Sequence, residues 1–441
     1  MNYRDAISYL YGLQKYGIKL GLDNTTRILS LLGDPHKEFR TIHVAGTNGK
    51  GSTSAMIASM LQAHGLRTGL FTSPHLVSFT ERIRVNKKEI GENEVVNLTI
   101  EIKNLIEKSS PGISPTFFEF VTVMAFLYFM RKEVNWAVIE TGMGGRLDAT
   151  NVITPDVTVI TRIGLDHREY LGHTLRAIAM EKAGIIKEEV PVITASQEED
   201  CLNVIVNRAT EMGSECYVYQ RDFSSTLKDI DIDGIRFDYH GSISAKNLFV
   251  PLSGGYQLEN ASLAIKAMEK ALGLDLKLTG IRNGLSTIIW PGRLELIKRP
   301  LEPFDFLIDG AHNPPASEAL RDALEGFYRK RYERIIFILG IMADKDMEDI
   351  MLSLLPFSYC NIFTAPDYKR AARPEILKDI AQRHGFSGEC IGSVSESIKR
   401  AMDISKTLSG RTLIVITGSF YTIGEALEAL GEKGILSRLR E

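Results

Sequence analysis

The chain has 441 residues, 44% of them hydrophobic and 24% charged, with a formal net charge of −3 and a pI of about 6.4. At about 150 residues per domain this length predicts at least two domains. The near-neutral balance lacks the basic excess of a nucleic-acid binder, so nucleic acid is not an expected partner.

Residues 1–10 carry Arg4 and Asp5 and lead into no long apolar run, so no secretory leader is expected and the chain is placed in the cytoplasm. From residue 40 onward, β-branched or aromatic runs at 41–45, 67–72, 134–140, 157–161 and 191–195 alternate with helical patterns at 55–64, 116–130 and 174–187. This alternation predicts a parallel α/β sheet. Residues 117–130 are the most apolar, but they contain Glu119 and are shorter than the ~20 residues of a membrane span, so they predict a buried helix and no membrane association. At 216–250 the pattern changes to short strand-like pieces with Gly234 and Gly241 as turn residues, which predicts an antiparallel flap on the first domain. A helix follows at 257–272, and the helical pattern stops at Trp290, Pro291 and Gly292. A second alternating series then begins, with strands at 304–308, 334–339, 361–364 and 412–417. The boundary is placed near Pro291, giving domains 1–290 and 291–441 joined by a short hinge at 290–292. Cys201, Cys216, Cys360 and Cys390 form no C-x-x-C pair, so they are read as reduced thiols rather than a zinc site or a disulfide framework.

The strongest chemical signal follows the first clear strand. Residues 41–45 run into Gly46-Thr47-Asn48-Gly49-Lys50-Gly51-Ser52-Thr53, and a helix rich in small and apolar residues comes next. Glycines let backbone N–H groups turn toward an anion, a helix N-terminus adds partial positive charge, and Lys50 supplies a point charge for phosphates. The loop departs from G-x-x-x-x-G-K-[ST], because Val44 stands at the first glycine position and Gly51 separates Lys50 from Ser52 and Thr53. A second signal is the strand 136–139, which ends in Glu140 ahead of the glycine cluster Gly142, Gly144 and Gly145. A carboxylate at the tip of a parallel strand is suited to facing magnesium in such a protein, and Glu140 is the candidate.

The two segments, Gly46 to Ser52 and Glu140-Thr141-Gly142-Met143-Gly144-Gly145-Arg146-Leu147-Asp148-Ala149-Thr150-Asn151, together resemble the folylpolyglutamate synthase and dihydrofolate synthase family of the Mur ligase superfamily. Thr72-Ser73-Pro74-His75, Thr116-Phe117-Phe118-Glu119, Gly164-Leu165-Asp166-His167, Glu181-Lys182-Ala183-Gly184-Ile185, Pro291-Gly292-Arg293 and Asp309-Gly310-Ala311-His312-Asn313-Pro314 resemble it in the same order. The fold implied is α/β, a P-loop parallel-sheet domain of Mur ligase type followed by a smaller α/β Mur ligase C-terminal domain.

The resemblance implies an ATP-dependent, ADP-forming ligase that adds L-glutamate to dihydropteroate and to reduced folates; a monomer is expected, although the sequence does not give the oligomeric state. ATP phosphates would lie over Asn48, Gly49, Lys50, Gly51, Ser52 and Thr53, with Asn260, Arg293 and Asp309 reaching the nucleotide from the far side. Ser73, Glu140 and His167 would contact magnesium, and Lys182 would react as a neutral amine with CO₂ to give a carbamate that helps hold a second ion. Lys50, Lys182 and His312 carry the catalytic expectation, His312 orienting the incoming amine or the phosphate. A substrate carboxylate attacks the γ-phosphate of ATP, and the glutamate amine then displaces phosphate from the acyl phosphate. Thr116, Phe117, Phe118, Glu119, Asp148, Ala149 and Ser419 are the substrate-binding candidates, with Phe117 and Phe118 as an aromatic wall and Asp148 as acceptor for ring nitrogens. Helix periodicity makes one of the two phenylalanines plain core. Arg82 is a candidate for a substrate carboxylate, the alternative being a surface salt bridge. Folylpolyglutamate synthase activity alone, a peptidoglycan-precursor ligase and a non-catalytic nucleotide-binding regulator are the competing readings.

Overall fold

The run Arg40–Ala45, with Thr41, Ile42 and Val44, forms strand β1, and every residue of it except Arg40 is buried. A strand covered on both faces reads as a continuous apolar run rather than an alternating one. The computed structural model describes residues 1–17, 21–109 and 112–431, so 432–441 of the expected second domain lie outside the described residues.

Among the described residues β1 is joined by β2 (Thr68–Phe71), β3 (Ile83–Val85), β4 (Lys88–Glu89), β5 (Trp136–Glu140), β6 (Val157–Ile160), β7 (Val192–Thr194) and β8 (Cys216–Val218). Their order is β4-β3-β2-β5-β1-β6-β7-β8, parallel from β2 to β8, with β3 and β4 antiparallel at one edge. The chain leaves β1 toward β2 on one side and later continues from β5 to β6 on the other. Crevices open at the carboxyl ends of strands where a sheet reverses its order in this way.

Alternate residues of β5 divide between two cores. Trp136 and Val138 pack with Met56, Met60 and Leu61 of the helix Lys50–Ala63, whereas Ala137 and Ile139 pack with Phe120, Met124 and Phe129 of the helix Phe117–Arg131. Both helices are buried almost all round, which explains why neither shows a clean polar stripe. Two N-terminal helices, Tyr3–Gly12 and Asp23–Leu31, which the sequence reading passed over, add Ile7, Leu10, Ile28 and Leu29 to the second core.

The expected antiparallel flap is a three-stranded sheet of β9 (Ser224–Asp231), β10 (Gly234–His240) and β11 (Ser244–Val250). Its start is corrected. The stretch at Cys216 belongs instead to the main sheet, because β8 returns from the helix Glu199–Glu211 to pair parallel with β7.

The second sheet contains β12 (Glu295–Ile297), β13 (Phe304–Ile308), β14 (Arg334–Leu339), β15 (Cys360–Phe363), β16 (Glu389–Cys390) and β17 (Thr412–Thr417). Its order is β12-β13-β17-β14-β15-β16, parallel apart from β12. The short strands β12 and β16 gave no periodic signal. All four cysteines are free thiols. Among the described residues no helix is long and apolar enough to cross a membrane.

Candidate active site

The carboxyl ends of both sheets open onto one cavity of about 540 Å³. From the first sheet come the loop after β1, Ser73 after β2, Glu140 at the tip of β5 and His167 after β6; from the second come Asp309 to His312 after β13, Lys345 after β14 and Ser419 after β17. Parallel strands place their exits on one edge, so residues far apart in sequence meet there.

Within the phosphate loop Gly49 adopts a φ of 90° and caps the helix Lys50–Ala63. A Cβ there would also collide with the Asn260 side chain, which lies over the loop and donates its own amide to Gln257 Oε1 at 3.0 Å. Lys50 Nζ donates to the carbonyls of Gly46 and Thr47 at 3.1 and 3.2 Å, folded back over the turn. Lys182 Nζ reaches the same Gly46 carbonyl at 2.8 Å from the helix Leu175–Ala183. Burial, and then the neighbouring Lys50 charge, lower the Lys182 pKa to about 7.

Glu140 is 4% exposed and accepts a hydrogen bond from the Ser73 N–H at 3.3 Å. Burial pushes its carboxyl up to about 7 against the pull of Lys50, that N–H, Arg293 and Arg82. Across the cavity Arg293 donates to the Gly292 carbonyl at 2.9 Å and lies 4.7 Å over the Phe420 ring. Asp309 accepts from the Leu294 and Ala311 amides, each at 2.9 Å, and burial raises its pKa. His312 turns Nδ1 to the Gly310 carbonyl at 2.8 Å and Nε2 toward Asp166 at 3.5 Å.

The cavity therefore gathers Asn48, Gly49, Lys50, Gly51, Ser52, Ser73, Glu140, His167, Lys182, Asn260, Arg293, Asp309, His312 and Ser419. Thr53, expected at the nucleotide, does not line the cavity. It is fully buried, and its hydroxyl has no partner among the described residues, because one helical step past Ser52 turns it into the core.

The remaining substrate candidates lie beside this cavity rather than in its lining. Thr116 Oγ1 accepts from the Glu119 N–H at 3.3 Å and Glu119 Oε2 from the Thr116 N–H at 2.6 Å, a capping box that starts the Phe117–Arg131 helix. Asp148 accepts from Thr150 N, Thr150 Oγ1 and Met143 N at 3.0, 2.5 and 2.9 Å, which fixes the glycine loop ahead of the buried Ala149. Both phenylalanines are half-buried, so neither is plain core as periodicity had predicted. Phe118 covers Gly142, where a Cβ would lie 2.5 Å from its ring, and Phe117 stacks on Tyr11 at 5.3 Å. The surface salt bridge considered for Arg82 is overturned. Arg82 is 7% exposed, donates Nε to His75 Nδ1 at 2.8 Å and lies 5.2 Å over the Phe117 ring. Sequence reasoning missed Lys345, Arg370 and Tyr421, which also line the cavity, and gave Asp166 no role although its motif was noticed.

Two Mur ligase models divide the chain between them, the Mur ligase middle domain over residues 44–268 and the Mur ligase, glutamate ligase domain over 292–420. A phosphate loop on one sheet facing the exits of a second parallel sheet is thus the architecture of a Mur ligase. The chain is 37% identical to the folylpolyglutamate synthase of Lacticaseibacillus casei, over 98% of this chain and 99% of that one. It is 34% identical to the dihydrofolate synthase/folylpolyglutamate synthase of Bacillus subtilis, over 97% and 99%. Among solved structures, Mycobacterium tuberculosis folylpolyglutamate synthase complexed with ADP and AMPPCP matches with a TM-score of 0.91 at 30% identity, covering 98% of this chain and 100% of that one. Escherichia coli FolC in complex with DHPP and ADP matches with a TM-score of 0.87 at 30% identity, covering 98% of each. The chain belongs to the folylpolyglutamate synthase/dihydrofolate synthase family, whose members are ATP-dependent, ADP-forming ligases.

Proposed function

We propose that this chain adds L-glutamate both to dihydropteroate and to reduced folates, through an acyl phosphate made at the expense of ATP. The observation that carries the reading is the single cavity in which a phosphate loop, the buried carboxylate Glu140 and the second-domain groups Arg293, Asp309 and His312 meet. Relatives named for both activities support the bifunctional form. The domain boundary is kept near Pro291, with 290–292 as the hinge, and the protein is read as a cytoplasmic monomer.

The residues fit a magnesium ion. Glu140 is a buried acid whose charge needs a partner, and Ser73, His167 and Lys182 stand around the same space. Magnesium takes one or two carboxylates and draws its other ligands from water and phosphate, and Glu140 would supply the carboxylate here. When bound, magnesium would neutralise phosphate charge. Lys50 and Arg293 approach the phosphates from opposite domains and would stabilise the charge that develops on transfer, while His312 would orient the attacking amine. The lowered pKa of Lys182 supports the carbamate reading, because only the neutral amine adds to CO₂, losing a proton as the N–C bond forms. Folate would enter beside Phe117, Phe118 and Arg82.

The test is ADP release with ATP, magnesium and L-glutamate, comparing dihydropteroate, tetrahydrofolate and no acceptor. Release with both acceptors is expected. Release with tetrahydrofolate alone would leave folylpolyglutamate synthesis only, a reading favoured by the engagement of Asp148 within its own loop. No acceptor-dependent release would return the chain to nucleotide binding without catalysis.

A further inference from the structure

Asp166 lies in the loop after β6, one residue before His167, and its side chain is 9% exposed. Three groups of the second domain converge on this first-domain carboxylate. Lys345 Nζ is 2.5 Å from Oδ1, Asn313 Nδ2 donates to Oδ2 at 3.3 Å, and His312 Nε2 is 3.5 Å from Oδ2. Asn313 in turn exchanges two amide hydrogen bonds with Asn48 of the phosphate loop, at 3.2 and 3.1 Å. The loops after β13 and β14 are thus pinned to the loops after β1 and β6.

We propose that Asp166 is a positioning residue that sets the closed arrangement of the two domains, holding His312 and Lys345 over the nucleotide loop. This rests on the ligase reading above and adds a residue and a contact to it. The physical reason lies in the geometry. His312, Arg293 and Asp309 act on the nucleotide only when the second domain is seated against the first, and an error of about 1 Å in such seating costs on the order of 100-fold in rate. Lys345 is also nearly buried, its side chain 12% exposed, so solvent screens this ion pair less than a surface pair. The bland alternative is that Asp166 merely holds its own turn through the His167 N–H, which donates to Oδ1 at 2.8 Å. That alternative gives Lys345 no part.

The experiment uses the full chain with Asp166→Asn, which keeps the side-chain shape, Lys345→Met, and the double variant. Each is measured for kcat, for KM of ATP, and for radius of gyration by small-angle scattering with and without AMPPCP. Either single change should lower kcat by on the order of 10- to 100-fold while KM for ATP rises by a smaller factor, because the phosphate loop keeps its contacts and only those of Arg293 and Asp309 are weakened. The double variant should be no slower than the worse single, since both remove one interaction. Both singles should remain more open than the wild type in AMPPCP. Multiplicative losses, or variants that close like the wild type, would overturn the proposal. Wild-type turnover is read separately, so failure of the ligase assignment is distinguishable from failure of the latch, and scattering reports on closure even without turnover.

Discussion

His43 on β1 is fully buried, with Nε2 2.9 Å from Thr150 Oγ1. The Thr150 hydroxyl already donates to Asp148 at 2.5 Å, so it accepts from a His43 Nε2–H, and His43 Nδ1 is left without a partner among the described groups. A proton added at Nδ1 would be a buried, unsatisfied donor on a cation. Burial, assisted by Lys187, accordingly lowers the His43 pKa from 6.5 to about 3. The folded ring stays neutral where the unfolded one is protonated, so its contribution to stability is full above pH 6.5 and is lost as pH falls from there toward 3. Going from pH 7 to 5 this amounts to about 2 kcal/mol. His43→Gln should therefore be less stable than wild type at pH 8, with the gap shrinking by about that much at pH 5 in urea melts. A gap independent of pH would reject the neutral buried imidazole. At this scale the sequence was least informative. The T-x-x-E pattern at Thr116 to Glu119 is a capping signal that could have been read as such, whereas nothing local shows that Arg82 turns inward or that Thr53 faces the core.

Helix Leu278–Ser286 crosses the phosphate-loop helix Lys50–Ala63 so closely that a Cβ on Gly284 would lie 2.5 Å from Met60 Cα, and Ser59 Oγ donates to the Gly284 carbonyl at 2.7 Å. Two effects compete in Gly284→Ala. Helix propensity favours alanine by about 1 kcal/mol, but the new methyl meets backbone rather than a flexible side-chain end, and overpacking of this kind costs about 1 to 3 kcal/mol. The clash should win. Thermal melting is expected to show a lower Tm for Gly284→Ala, together with weaker nucleotide binding if the phosphate-loop helix is displaced; an unchanged or higher Tm would show that the helices can separate at little cost. The strands and helices that frame this contact were legible in the sequence because their signals are local, namely β-branched runs, glycine turns and helical spacing. The edge strands β12 and β16 were not, since two or three residues carry no period.

A nucleotide in the interdomain cavity would touch both sheets' exits, so it should stabilise the molecule as a unit. AMPPCP at about 100 times its Kd adds about 2.7 kcal/mol to the state that binds it. Calorimetry should show that AMPPCP raises the melting of both domains together, and a shift confined to one transition would mean that Arg293 and Asp309 do not reach the ligand. The sequence by itself determined the α/β class, the phosphate loop at Gly46 to Ser52, the acid Glu140 at a strand tip and the resemblance to one ligase family, because each is written in a short contiguous stretch. Only the tertiary structure decided which candidates share a cavity, that Lys182 and Lys50 meet at one carbonyl, that Asp148 is engaged in its own loop, and that Asp166 gathers His312, Asn313 and Lys345. Those relations join segments brought together by strand order and domain seating, which depend on packing over the whole chain and leave no mark in any one segment.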